Sequence, residues 1–307
     1  MNRKKEDPVE VELVEFNMGW VGNNKILLFV GKRNTGKSKL VIDWLYHNQD
    51  IPICTCISPT NALNNTYTPH VPSRFIFDKF TPEIVADFLK RQQRLVTKKR
   101  AAEAGRGDPR YMNIDCRGIL IMDDCLASNK DWKNDENINW IFMNGRHAEI
   151  TFILTMQYQI GIPPPLRVNV DYIFLCKEVK RIEKEKLWKY YAGMFQTFTM
   201  FDQVFTQCTK DYGCLVIDNT SNSDKLRDQV FWYKATLWDD FHICYDEFWE
   251  NNDDYMNRDM DVSVSDDPVD QPTDNYARYS RNMNYNVNIV PSGGMDPSSY
   301  RKGGLRD

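Results

Sequence analysis

Gly31-Lys32-Arg33-Asn34-Thr35-Gly36-Lys37-Ser38 fits G-x-x-x-x-G-K-[ST], the phosphate-binding P-loop. An apolar run, Ile26-Leu27-Leu28-Phe29-Val30, precedes it, and a helix-compatible stretch from Lys39 to His47 follows. Strand, loop and helix in that order form the context the motif requires. The glycines allow backbone N–H groups to curl around phosphate oxygens, and the helix N-terminus adds partial positive charge. All eight residues are therefore candidates for ATP binding. Lys37 is placed to reach the β- and γ-phosphates, and Ser38 to ligate Mg²⁺.

The 307 residues allow one large domain or two small ones. With 42% hydrophobic and 13% aromatic residues the chain can build a core. No apolar run approaches the ~18 residues of a membrane helix, so no membrane partner is expected. The charged start, Met1 to Pro8, has no apolar core like that of a signal peptide, which points to a cytosol-like compartment. The 8 cysteines agree. Cys54, Cys56, Cys176 and Cys214 lie in apolar runs and none forms C-x-x-C, so buried thiols are expected rather than disulfides or zinc. A net charge of −4 gives no overall attraction for nucleic acid, so any such contact must be a local basic patch. One candidate follows Thr81-Pro82-Glu83, an N-cap with a proline at the first helical position. Lys90, Arg91, Arg94, Lys98, Lys99 and Arg100 lie on that helix before Gly105. They read either as a solvated charged face or as phosphate contacts.

Apolar strands are expected at 25–30, 51–57, 74–77, 118–122, 150–155 and 170–176, with helices between them. This alternation predicts an α/β fold with a mostly parallel sheet covered by helices on both faces. Two final strands, at 212–218 and 229–234, read as an antiparallel hairpin at the C-terminal end. Residues 1–20 read as a lead-in with an edge strand at 9–16, and 21–238 as the P-loop domain. Residues 239–307 read as an acidic, then Asn/Ser/Gly-rich tail, largely disordered.

Hydrolysis requires acids opposite the P-loop. Gly118-Ile119-Leu120-Ile121-Met122-Asp123-Asp124 is an apolar strand ending in two of them, the pattern of a Walker B motif. Asp123 suits the Mg²⁺ shell and Asp124 the attacking water. Neighbours on a strand point to opposite faces, so both roles require the strand to end there. Gln157, at the tip of the 150–155 strand, is a candidate sensor of the γ-phosphate, with Thr155 a lesser one. The distance from P-loop to Asp123 predicts an additional strand, as in RecA-like ATPases. Asn129-Lys130-Asp131-Trp132 is not the N-K-x-D of a GTPase. Arg146 and Arg167 are candidates for an arginine finger acting on a neighbouring subunit, or for surface ion pairs with Glu149 and Asp171.

Taken together, these residues resemble the genome-packaging ATPases of large nucleocytoplasmic DNA viruses, the poxvirus-type branch of the FtsK–HerA P-loop motors. The resemblance runs over about residues 20–236. It rests on the P-loop, Asp123-Asp124, Asn144-Gly145-Arg146-His147, Leu154-Thr155-Met156-Gln157-Tyr158, Ile162-Pro163-Pro164, Leu166 to Tyr172 and Tyr212 to Asp218. It implies a RecA-like fold, a homo-oligomeric ring, and ATP- and Mg²⁺-dependent movement of double-stranded DNA without sequence specificity. It also implies a capsid or portal partner and assembly in the host cytoplasm. The wider superfamily commonly carries Glu where Asp124 stands. That keeps open a nucleotide-binding assembly protein with little turnover. A small-molecule or nucleotide kinase is the other alternative, with the Arg106 to Arg110 loop as its lid.

Overall fold

The computed structural model describes residues 10–125, 131–157, 161–250 and 286–290. The chain runs β1 (Glu10–Val14), β2 (Ile26–Val30), α1 (Lys37–Tyr46), β3 (Cys54–Ile57), α2 (Asn61–Asn64), β4 (Ile76–Phe77) and α3 (Pro82–Glu103). It continues through β5 (Gly118–Met122), α4 (Glu136–Asn144), β6 (Ile150–Met156), α5 (Pro164–Arg167), β7 (Tyr172–Leu175), α6 (Arg181–Tyr191) and α7 (Phe198–Cys208). It closes with β8 (Gly213–Asp218), β9 (Val230–Lys234) and β10 (Asn286–Val290).

Eight strands form one sheet in the order β4-β3-β5-β6-β2-β7-β8-β9. The first six in that order are parallel, and β8 and β9 complete the sheet as an antiparallel pair. The alternation along β2 sorts its side chains between two cores. Ile26, Leu28 and Val30 face one, with α3, α4, α6 and α7. Leu27 and Phe29 face the other, with α1 and irregular segments carrying Met18, Tyr67, Val71 and Phe241. Helices thus cover both faces, and the parallel strands are mostly apolar because both of their faces are buried. This is the α/β RecA-like architecture with an additional strand. The strand inserted between β2 and the Asp123 strand β5 is β6, which follows β5 in sequence. The two strands that precede β5, β3 and β4, lie beyond it.

Local chemistry fixes the helix starts. Thr81 precedes Pro82 at the start of α3, the Asp135 carboxylate accepts from Ile138 N (2.9 Å) at α4, and Thr197 Oγ1 accepts from Met200 N (3.2 Å) at α7. On α3 most of the cations serve the fold. Arg91 packs over Phe88 (5.1 Å), Lys98 donates to the Tyr111 hydroxyl (2.8 Å), Lys99 pairs with Glu149 (3.7 Å) and Arg100 donates to His147 O (3.2 Å). Lys90 and Arg94 are exposed.

Packing extends beyond both ends of the span 21–238. Val11, Leu13, Phe16 and Met18 are buried, and Phe16 N donates to Trp232 O (2.8 Å) on β9. Phe241, Ile243 and Cys244 are also buried, and Ile243 N donates to His70 O (3.0 Å). The tail reading did not anticipate β10, which pairs in parallel with β1 from Glu10↔Asn286 to Val14↔Val290. Its sequence, Asn-Val-Asn-Ile-Val, alternates with the period of a strand inside a polar stretch. The rest of the tail, residues 1–9 and Tyr158 lie outside the described residues. All eight cysteines are buried thiols. No described helix is long and apolar enough to cross a membrane.

One buried carboxylate ties the sheet's far edge to α1. Asp43, fully buried, accepts from the Tyr233 hydroxyl (2.5 Å), Trp238 Nε1 (2.6 Å) and Thr236 N (3.2 Å). Trp238 stacks on Tyr46 of the same helix at 3.5 Å between ring centroids.

Candidate functional site

The P-loop leaves β2 at the edge where the parallel strands end. Gly31 N donates to Met156 O (3.0 Å), so the loop starts beside the end of β6. Its shape depends on two glycines. A Cβ on Gly31 would lie 2.6 Å from Cys176 Cβ and 2.6 Å from Thr35 Oγ1, and Gly36 has φ +95°. The only favourable side chain at either position is hydrogen. Asn34 also takes a left-handed φ of 60°, which asparagine tolerates. Thr35 Oγ1 donates to Lys32 O (2.8 Å), while Lys37 Nζ donates to Gly31 O (2.8 Å) and Lys32 O (2.9 Å). Burial lowers the Lys37 pKa, against the charges of Asp124 and Asp123, which support the ammonium. Lys32 pairs with the buried Glu178 (2.6 Å), whose Oε1 also accepts from the backbone N–H of Val179 (2.7 Å) and Lys180 (2.8 Å). Arg33 is exposed.

The two acids meet this loop from β5. Strand β5 ends at Met122, and Asp124 turns out of it with φ 55°. A non-glycine residue in that region carries a strain of about 1–2 kcal/mol, the kind that persists where surrounding contacts fix the backbone. Here the fixing contact is Thr155, whose hydroxyl accepts from Asp124 N (2.9 Å) and donates to Asp123 Oδ1 (2.5 Å). Ser38 Oγ donates to the other Asp123 oxygen (3.0 Å). Gln157 Nε2 donates to Asp124 Oδ2. Burial raises the Asp124 pKa, the Gln157 hydrogen bond and Lys37 oppose the rise, and the Asp123 charge adds to it.

Ser38, Asp123, Asp124, Gln157 and Lys37 are thus brought to one edge. The donor set suits Mg²⁺. It offers a hydroxyl and a carboxylate, all oxygen, and this ion takes few protein ligands beside phosphate and water. Among the described residues no group of three His, Cys, Asp or Glu is arranged for a metal, so a closed protein cage is not on offer. Tyr67 has no sequence signal. It is fully buried, with its hydroxyl against Asp123 and Ser38, and burial and the Asp123 charge push its pKa well up. It comes from the loop after β3, and only the strand order brings that loop to Asp123.

The two arginines lie elsewhere. Arg146 is exposed and precedes the first residue of β6, whereas Gln157 follows its last. Seven extended residues span roughly 20 Å. Arg167 lies just ahead of β7, at the same far edge. Its guanidinium sits over Tyr190 (4.7 Å) and Tyr191 (5.4 Å) and donates to Ile162 O (3.0 Å). Neither makes the ion pair considered from sequence, since Glu149 pairs with Lys99 and Asp171 with Lys25. The Arg106 to Arg110 loop also lies at that far edge, between the end of α3 and the start of β5, and Arg110 pairs with Asp108 (2.7 Å). It is not positioned as a lid over the P-loop.

No family model matches the chain. The chain is 40% identical over 224 residues to the uncharacterized protein L437 of Acanthamoeba polyphaga mimivirus, covering 73% of this chain and 77% of that one. It is 32% identical over 215 residues to the uncharacterized protein 088R of Invertebrate iridescent virus 3, covering 70% and 76%. Among solved structures it is similar to the genome packaging NTPase B204 of Sulfolobus turreted icosahedral virus 2 in complex with AMPPCP. That similarity is 18% identity and a TM-score of 0.43, covering 70% of this chain and 99% of that one. The pCW3 conjugation coupling protein TcpA gives 12% identity and a TM-score of 0.49, with coverage of 76% and 65%.

Proposed function

From a chain that belongs to the family of large-DNA-virus proteins including mimivirus L437 and iridescent virus 088R, we infer an ATP-hydrolysing motor that moves double-stranded viral DNA into the capsid. The observation that carries the hydrolysis is the contact between Gln157 and Asp124 beside a P-loop whose Ser38 is bonded to Asp123. Phosphate binding alone has no need of that second acid.

In this reading the P-loop N–H groups and Lys37 hold the triphosphate. Ser38 and Asp123 hold Mg²⁺, which when bound neutralises charge on the phosphate oxygens. Asp124 accepts the proton of the attacking water, and its raised pKa makes it a better base than an ordinary aspartate. Gln157 orients that carboxylate and lies where the γ-phosphate ends. Thr155 keeps both acids in place through one hydroxyl.

The motor acts as a homo-oligomeric ring. An arginine from the next subunit then supplies charge at the transition state. Arg146 suits that role better than Arg167, because it is exposed while Arg167 is packed on two tyrosines. DNA is gripped through its phosphates without base reading, in the host cytoplasm, with a capsid or portal protein as docking partner. Residues 21–238 with their flanking packed segments form the motor.

The test is steady-state ATP hydrolysis with and without linear double-stranded DNA, with Lys37→Ala as the blank. Stimulation by DNA that the blank lacks is expected. Turnover indifferent to DNA refutes the coupling, and ATP binding without turnover refutes the motor. Arg146→Ala should abolish turnover and leave ATP binding intact; unchanged turnover removes the finger assignment.

A further inference from the structure

Strand β2 lies between β6 and β7, and its two sides differ in chemistry. The β6 side carries Asp123, Asp124, Thr155 and Gln157, where a terminal phosphate and its cation belong. The β7 side carries Cys176 and Glu178 and, one strand further, the turn that leads into β8. A triphosphate lying along Gly31 to Ser38 with its end at the acids directs its nucleoside over this second side.

Tyr212 stands there. It is 69% exposed. A methyl group built on Gly36 would lie 4.0 Å from Tyr212 Cδ1 and 4.0 Å from its carbonyl oxygen, so the tyrosine and the P-loop are neighbours. Its position is imposed by the backbone. Asp211 and Tyr212 have φ 49° and 66°, two consecutive left-handed residues without a glycine. The next residue, Gly213, fixes the turn from behind, since a Cβ there would lie 2.3 Å from Cys208 O. Strain of this kind is retained where a site needs a particular geometry. An aromatic ring held out of the core against a phosphate loop has a flat face to offer.

We propose that Tyr212 is the nucleobase platform of this site, stacking on the base of the nucleoside triphosphate held by the P-loop. The proposal deepens the ATPase reading and rests on it. Stacking depends on ring area and tolerates different bases, so purines are favoured over pyrimidines by size and not by hydrogen bonding.

The experiment is calorimetric binding of Mg·ATP and of Mg·tripolyphosphate to the full chain. The variants are Tyr212→Ala, Tyr212→Phe and Tyr212→Trp, each checked for an unchanged thermal transition. Tyr212→Ala should weaken ATP binding about tenfold and leave tripolyphosphate binding unchanged. Phe and Trp should bind ATP as the parent does. ATP binding unaffected in Tyr212→Ala overturns the platform, as does an equal loss for ATP and tripolyphosphate. A parent chain that binds tripolyphosphate as tightly as ATP overturns the platform and leaves the P-loop reading standing. A parent that binds neither overturns both.

Discussion

Replacing Asp43 by alanine should destabilise this fold markedly. The carboxylate lies on the buried side of α1 and accepts three hydrogen bonds, from Tyr233, Trp238 and Thr236. Hydrogen bonds to a charged group contribute roughly 1.5–3 kcal/mol each, so three of them set an upper bound of about 9 kcal/mol. Removing the charge also recovers its desolvation cost, and Trp238 is only partly buried and Thr236 exposed, so water can serve them. The net loss should be about 3–4 kcal/mol. For a folded region of this size each kcal/mol moves the midpoint by roughly 2–4 °C, so Tm should fall by about 10 °C. Asp43→Asn keeps one acceptor oxygen and should recover about half. The assay is thermal melting followed by circular dichroism, with ATP binding measured below the transition. Alanine and parent melting within about 2 °C of each other would refute the reasoning, as would an asparagine variant less stable than the alanine one.

Two other outcomes follow from the acids. Asp124→Asn should abolish turnover while preserving ATP binding. Because burial raises the folded pKa of Asp124, its contribution to stability is greatest below the unfolded value and is lost as pH rises through the folded one. The asparagine variant should therefore melt no lower than the parent at neutral pH. For the same reason parent turnover should fall with acidification, with a midpoint above that of an ordinary aspartate; a clearly lower Tm or an ordinary midpoint contradicts this. Thr155→Val removes the hydroxyl that joins both acids, and should cost about 2–3 kcal/mol and most of the turnover. Hydrolysis at the parent rate in a stable Thr155→Val protein would show that the acids need no such bridge.

The P-loop, the parallel strands and the closing pair β8–β9 were legible because each follows from local chemistry. A Gly-rich turn between an apolar run and a helix has few structural meanings, and strands buried on both faces read as continuous apolar runs. The end of β5 could be inferred as well, since two adjacent acids cannot serve one site from a regular strand. What local sequence could not carry was strand order. Placing β6 between β2 and β5 gives Thr155 its double contact, and placing β3 beyond β5 brings Tyr67 behind Asp123. The two readings of the basic helix α3 stayed open for a related reason. Its charges look free along the sequence, yet Lys98, Lys99 and Arg100 are engaged by partners outside the helix and Arg91 packs on Phe88 of its own helix. Strand β10 was missed because five alternating residues are a weak signal inside a polar tail.

The burial of every cysteine has a practical consequence. A thiol whose pKa is pushed up to about 11, as at Cys176, exposes thiolate at neutral pH in only about one molecule in ten thousand. Cys208 and Cys244 are pushed further, to about 12. A thiol-reactive dye therefore modifies a cysteine at the pace at which its surroundings open. Eight such positions are spread through the molecule, from the floor of the phosphate loop at Cys176 to the segment beyond β9 at Cys244. Peptide mapping of the labelled sites over time would turn the native sequence into a residue-resolved clock of its own breathing, with no probe engineered into it.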